Sequence, residues 1–297
     1  MNAKVIAMGY LIAESTRLSD WRAFAQDVHG MVPVIDDGER LRLRLDARDW
    51  RVEIQAGDTD AVTTVGWEVR GPAELAELGS RLTAAGFTVT DGTPELRKER
   101  RVTGLLSFTD PDGLRLELFH GQSNTTDPWQ SATGATFVTG DMGLGHIMQF
   151  VSDSDLYRDL YMGILGFELS DFVDIGPDPG TFLHCNPRHH SMAFASFPGM
   201  TPRVGHLMVQ VDNIDTVGRA YDRIQDRGDT IGSTFGRHSN DEMISYYVKT
   251  PGDKWEMEYG YGGIRVDEDW QAVRWDAAHL WGHRRGGVAG VAHLSVE

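Results

Sequence analysis

Apolar runs of strand length alternate along the chain with helical patterns, and the same order of runs occurs four times. Ile6-Ala7-Met8-Gly9-Tyr10-Leu11-Ile12-Ala13 predicts a strand, and Ser19-Asp20-Trp21-Arg22-Ala23-Phe24-Ala25 opens a helical pattern that stops near Gly30. Further on, Gly145-His146-Ile147-Met148-Gln149-Phe150 predicts another strand, followed by a helix from Asp155 to Gly166. Gly9 to Gly30 spans 21 residues, and so does Gly145 to Gly166. Trp21 and Phe24 correspond to Tyr157 and Leu160 at a common offset of 136 residues. Such self-similarity is the mark of an internal repeat.

A second kind of unit opens at Val65-Gly66-Trp67-Glu68-Val69, with a helix from Pro72 to about Ala85. Its counterpart opens at Val204-Gly205-His206, with a helix from about Asp215 to Asp226 and a stop at Gly228. Each unit closes on alternating strands around turn punctuation. One pair flanks Asp110-Pro111-Asp112-Gly113, and the other flanks Pro251-Gly252-Asp253. The pattern predicts an α+β protein of two similar domains, each made of two βαβββ modules, four modules in all. Residues 1–135 form a non-catalytic pair and 136–297 a catalytic pair with a tail. The polar stretch from Gly121 to Gly140 reads as the linker. The tail, with Trp270, Trp275 and Trp281, is expected to pack back on the second domain.

The repeat supplies an internal control for chemistry. His146 and His206 open apolar strands where the first half, aligned by its opening glycines, has Tyr10 and Trp67. Two imidazoles at matched positions of paired modules, in place of space-filling aromatics, predict metal ligands. A carboxylate on the closing strand completes a two-histidine, one-carboxylate set that leaves coordination positions open. Zinc accepts the same donors. Glu258 is the favoured carboxylate. Glu256, two residues away and on the same strand face, is its rival. Glu117, the counterpart in the first half, shows that a glutamate can stand here without histidine partners.

The most specific stretch is Gly236-Arg237-His238-Ser239-Asn240-Asp241-Glu242-Met243-Ile244-Ser245-Tyr246-Tyr247, with Thr250-Pro251 and Glu258-Tyr259-Gly260 after it. With the two Gly-His pairs and Trp281-Gly282-His283, the chain resembles type I extradiol catechol dioxygenases of the vicinal oxygen chelate superfamily, close to the 2,3-dihydroxybiphenyl 1,2-dioxygenases. The resemblance covers both halves and the tail. It implies a glyoxalase-like fold and Fe(II) held by His146, His206 and Glu258, although sequence alone does not separate Fe(II) from Mn(II). It implies His190 as the acid–base residue, His238 and Tyr247 as hydrogen-bonding partners of substrate oxygens, and Asn240 and Asp241 at the pocket wall. His189 is the rival of His190 for the acid–base role, since a one-residue shift on a strand turns a side chain to the other face. The chain departs from the family pattern at Asp253, at Tyr246, in a one-residue-longer interval before Glu258 and in one added residue near Met200-Thr201-Pro202.

The implied reaction opens the ring of a bulky catechol beside its hydroxyls with both atoms of O2, in aromatic catabolism. The competing readings are a glyoxalase-like isomerase and a metal-free binding protein on the same fold. The family also implies a homo-oligomer, octamers included. His184 and His189, which flank the acid–base position, and His29, His120, His279 and His293 have no matching constellation and are read as structural or surface residues, with His283 anchoring the tail.

Charge narrows the partners. Twenty-eight Lys and Arg against 44 Asp and Glu give −16, which disfavours nucleic acid and anionic membranes. The single cysteine, Cys185, excludes an intrachain disulfide and suits a reducing cytoplasm. The first residues are too short an apolar run for a secretory signal, and no window reaches the roughly 20 apolar residues of a membrane span.

Overall fold

The computed structural model describes residues 3–285; His293 lies outside them. The first half contributes β1 (Val5–Ser15), β2 (Val32–Asp36), β3 (Arg40–Arg44), β4 (Val52–Ala56), β5 (Ala61–Val69), β6 (Thr90–Asp91), β7 (Gly104–Thr109) and β8 (Arg115–His120). They form one mixed sheet in the order β2-β3-β4-β1-β5-β8-β7-β6. The second half repeats this plan with β9 (His146–Val151), β10 (Glu168–Val173), β11 (Gly180–His184), β12 (Met192–Ser196), β13 (Arg203–Val211), β14 (Ile231–His238), β15 (Ile244–Lys249) and β16 (Glu256–Tyr261). Their order is β10-β11-β12-β9-β13-β16-β15-β14. In each half the opening strands of two βαβββ modules pair antiparallel at the centre, β1 with β5 and β9 with β13. The four predicted modules are therefore present.

The repeat extends to an irregularity that the pattern does not announce. The helix beginning at Leu18 widens over Ala23–Val28 into π geometry, and the helix beginning at Ser154 does the same over Asp159–Ile164. Each ends at a glycine with φ +78°, Gly30 and Gly166, where a side chain would be strained. The helix Ile214–Arg227 is regular. The Asn213 side chain accepts from the Asp215 amide at 2.8 Å, Gly228 stops it at φ +71°, and Val217, Ala220 and Ile224 bury its inner face.

The tail packs back as expected, as strands. Val273–Trp275 (β17) adds in parallel to β10, and His279–Trp281 (β18) adds antiparallel to β14, so both edges of the second sheet are covered. The linker is held at both ends: Arg48 bridges to Asn124, and Phe137 bridges to Val211. Buried Arg188 ties the linker to β13, donating to the Val138 carbonyl at 2.8 Å and to Gln210 Oε1 at 2.6 Å.

The halves dock through polar contacts as well as core. Asp110, in the first half's hairpin turn, accepts from Gln149 and from the Tyr157 hydroxyl, each at 2.7 Å. Across the same interface Tyr246 donates to His29 Nε2 at 3.2 Å and Tyr259 donates to the His29 carbonyl at 3.0 Å. The departure at Tyr246 has its physical reason here, because its hydroxyl meets the bare nitrogen of a buried imidazole. Asp253 takes the left-handed conformation (φ +63°) in the turn after Gly252, and its amide donates to Thr250 O at 2.9 Å.

One sequence alignment is corrected by register. Met208 stands opposite His146 as Gly66 stands opposite Tyr10, and Met208 neighbours Glu258 as Gly66 neighbours Glu117. The counterpart of His206 is therefore Thr64, not Trp67. Side chains alternate along a strand. Val65, Trp67 and Val69 turn into the helix-side core, where Trp67 meets Tyr161 and Phe167 edge-on at centroid distances of 5.9 and 5.1 Å. Aligning the glycines put Trp67 on the wrong face.

Candidate active site

His146 and His206 come from the two central strands of the second sheet, and Glu258 comes from β16, the neighbour of β13. A glycine precedes each histidine because another group lies where a Cβ would be. At Gly145 that atom would stand 1.9 Å from the Met208 carbonyl oxygen, and at Gly205 it would stand 2.8 Å from the Phe150 ring. The close approach at Gly145 lets His146 turn inward directly at the start of its strand.

The three donors form a nearly equilateral triangle. His146 Nε2 is 3.2 Å from His206 Nε2, and each nitrogen is 3.3 Å from Glu258 Oε2. Donors about 2.1 Å from one ion stand roughly 3.0 to 3.4 Å apart, between right-angle and tetrahedral geometry. Glu258 Oε2 is buried and has no hydrogen-bond partner, whereas Oε1 accepts from Ser245 Oγ at 2.6 Å. A buried carboxylate oxygen left bare between two imidazole nitrogens suits a cation and little else. Burial pushes the His206 pKa down to about 3, so the ring is neutral, as a ligand must be. Burial alone would raise the Glu258 pKa, but His146 and His238 hold the carboxyl well below the usual range.

Glu256 does not join them. Two residues further back along the strand it pairs with Lys249 at 2.8 Å and with Arg285 at 3.6 Å. The hairpin register explains the choice: Tyr247 lies opposite Glu258, and Lys249 lies opposite Glu256.

The remaining predicted residues gather around the triangle. The His190 ring lies on that of His146 at 3.8 Å between centroids, and Phe182 meets it edge-on at 4.9 Å. Burial pushes its pKa well below 6.5, and the nearby His146 and His189 rings act in the same direction. His189 turns away, to Asp171 at 3.0 Å. On the opposite side His238 Nε2 is 2.8 Å from the Tyr247 hydroxyl and 3.3 Å from Glu258 Oε1, and Nδ1 donates to the Ala278 carbonyl at 3.1 Å. Burial lowers the His238 pKa, yet Glu258 outweighs it and raises the value to about 9. A divalent cation on Glu258 would oppose that effect.

The loop between β14 and β15 closes with the His238 amide donating to Met243 O at 3.0 Å, and it carries Asn240 and Asp241. Both are buried. Asn240 Nδ2 has no partner, while Asp241 Oδ1 accepts from the Met243 amide at 2.9 Å and its Oδ2 stands 3.8 Å from His190 Nδ1. Beyond His190 the wall is apolar: Met148, Ala193 and Ala195 cluster with Phe150, Ile175, Phe182 and Phe197.

Sequence reasoning missed two contributors. His283 is buried and stacked on His238 at 4.1 Å and 19°, and neither ring nitrogen has a hydrogen-bond partner. Asp171 gave no signal, because a single acid on a strand carries none. His184 is structural, bonded to Ser170 at 2.8 Å.

Paired βαβββ modules with a two-histidine, one-glutamate centre define a metal-dependent member of the vicinal oxygen chelate fold. The comparisons agree. Residues 143–259 match the Glyoxalase/Bleomycin resistance protein/Dioxygenase superfamily, and residues 8–57 match the first domain of dihydroxybiphenyl dioxygenase BphC. The chain is 40% identical to biphenyl-2,3-diol 1,2-dioxygenase of Paraburkholderia xenovorans over 94% of this chain and 95% of that protein. It is 39% identical to an iron-dependent extradiol dioxygenase of Rhodococcus jostii, covering 93% and 96%. The crystal structure of BphC, a halotolerant catechol dioxygenase, superposes with a TM-score of 0.90 at 34% identity, covering 96% of both chains. The chain belongs to the extradiol catechol dioxygenases of this superfamily.

Proposed function

We propose that the protein is an Fe(II)-dependent extradiol dioxygenase that cleaves a bulky catechol, such as 2,3-dihydroxybiphenyl or another bicyclic catechol, beside its two hydroxyls. The observation that carries this is the His146–His206–Glu258 triangle with acid–base groups on two sides, His190 on one and His238 with Tyr247 on the other. Iron, when bound, supplies Lewis-acid polarisation and one-electron chemistry. His190, neutral through burial, accepts a catechol proton and returns it as the ring opens. The Tyr247 hydroxyl and His238 hydrogen-bond the substrate oxygens, and the partnerless amide of Asn240 offers a further donor. The apolar wall from Met148 to Phe197 takes the hydrocarbon part of the substrate and excludes water. That wall supports a large ring system over a small one.

The same reading includes self-association. The outer strand β18 exposes Leu280 and Trp281, 57% and 47% accessible, a surface suited to contact with another copy. Among the described residues no helix is long and apolar enough to cross a membrane.

The test is oxygen uptake. Protein prepared anaerobically with Fe(II) is mixed with a panel of mono- and bicyclic catechols and air. The expected result is one O2 consumed per catechol with a yellow ring-opened product, fastest for the bicyclic members. No uptake with any catechol at full iron occupancy overturns the proposal.

A further inference from the structure

His189 and His190 are adjacent in the sequence. In the fold they stand in series. His189 Nδ1 is 3.2 Å from His190 Nδ1, and His189 Nε2 is 3.0 Å from Asp171 Oδ2. Asp171 is completely buried and firmly oriented. The Val273 amide donates to its Oδ1 at 2.9 Å, and the Trp275 indole donates to its Oδ2 at 3.0 Å. Both donors belong to the tail strand β17. Trp270 adds an edge-on contact to the His189 ring at 5.3 Å, with its indole on the Ser170 carbonyl at 2.8 Å.

The hydrogen count follows from the inventory of donors and acceptors. A carboxylate only accepts, so His189 carries its proton on Nε2. In the neutral ring Nδ1 is then a bare lone pair. The His190 nitrogen facing it must donate, because two lone pairs do not share a 3.2 Å contact with neither a proton nor a cation between them. Asp241 Oδ2, at 3.8 Å from the same His190 nitrogen, is too far to compete as a hydrogen-bond partner.

We propose that Asp171 and His189 are positioning residues that lock His190 in its Nδ1–H form, with Nε2 left as the base, and that the tail holds this relay in place through Val273 and Trp275. The proposal rests on the reading of His190 as the acid–base residue, but its principal test does not depend on turnover.

Full-length protein labelled with [15N]histidine and loaded with diamagnetic Zn(II) is measured by solid-state 15N NMR, with the His190 signals assigned by their loss in His190→Gln. The wild type should show His190 protonated at Nδ1 and bare at Nε2; the opposite pattern overturns the proposal. Asp171→Leu should release the bias, so that His190 populates the Nε2–H form, whereas Asp171→Asn, which keeps an acceptor for His189, should preserve the wild-type pattern. A His190 that stays wholly Nδ1–H in Asp171→Leu overturns the relay. Should Asp171→Leu not fold, His189→Phe answers the same question. In Fe(II)-loaded enzyme, Asp171→Leu should lower kcat by about 10- to 100-fold, with bound metal and anaerobic catechol affinity unchanged. A catalytically silent protein whose wild-type spectrum shows the predicted form would overturn the dioxygenase reading and leave the relay standing.

Discussion

Arg100 lies against Glu117 with Nε 3.0 Å from Oε2, at the register position that Glu258 holds in the second half. The Tyr10 hydroxyl donates to the same oxygen at 2.5 Å, and Arg115 reaches Oε1 at 2.8 Å. Both halves therefore bury a glutamate on the same strand and face the same electrostatic cost. The first half meets it with guanidinium groups and a phenol. The second surrounds it with imidazoles and leaves room for a cation. The duplicated fold thus carries two answers to one buried charge, and only one of them can hold a metal.

Replacing Arg100 with Met should strip Glu117 of its main counter-charge and destabilise the protein by about 3–5 kcal/mol. The double variant Arg100→Met with Glu117→Leu should recover most of that loss, because charge and counter-charge are removed together. Urea unfolding of the three proteins measures both effects. A single variant as stable as wild type would refute the pairing.

Glu258→Gln should lose bound iron, while Glu256→Gln should retain it, because Glu256 is engaged with Lys249. Ser245→Ala should weaken iron binding by roughly 10- to 100-fold, since the hydroxyl fixes the oxygen that turns away from the metal. Iron content after dialysis against graded chelator separates the three. Loss of iron only in the Glu256 variant would reverse the assignment.

Tyr247→Phe should lower kcat by about 100-fold or more with iron content unchanged. The hydroxyl is 2.8 Å from His238 and is not one of the three groups that would hold the metal. Steady-state oxygen uptake alongside iron analysis tests this. Unchanged kcat would place the hydroxyl outside the reaction.

His29 predicts a pH effect on stability at the interface between the halves. It is completely buried, and burial lowers its pKa from 6.5 to about 4. The unfolded chain therefore takes up a proton first as pH falls. Its contribution is fully present above pH 6.5 and is lost progressively down to about 4, amounting to about 3 kcal/mol. His29→Gln, which keeps an acceptor for Tyr246, should lose less stability over that interval. Unfolding curves at pH 7 and pH 4.5 for both proteins decide it; equal losses would exclude His29 as the source.

The helix Pro94–Arg100, which delivers Arg100, was legible but unread. Thr93 caps it by accepting from the Leu96 amide at 3.2 Å, Pro94 follows in the first turn, and basic residues fill the last turn. The tail strands were not legible. Val273–Trp275 and His279–Trp281 are too short to show a period, and they form because two sheet edges needed partners. His283 joined the site because β18 carried the tail to it, and Asp171, on β10, is held by donors from β17.

By itself the sequence determined the four modules and the two Gly-His strand openings, because alternation and turn chemistry are local and a repeat compares itself. It also narrowed the carboxylate to two residues on one face. The tertiary structure brought Glu258, not Glu256, to the two histidines, replaced Trp67 by Thr64 as the counterpart of His206, and set His189 behind His190. The first two depend on which residue lies opposite which across a sheet, and the third on the path of the loop between β11 and β12. Register is a property of paired strands and is absent from either strand alone.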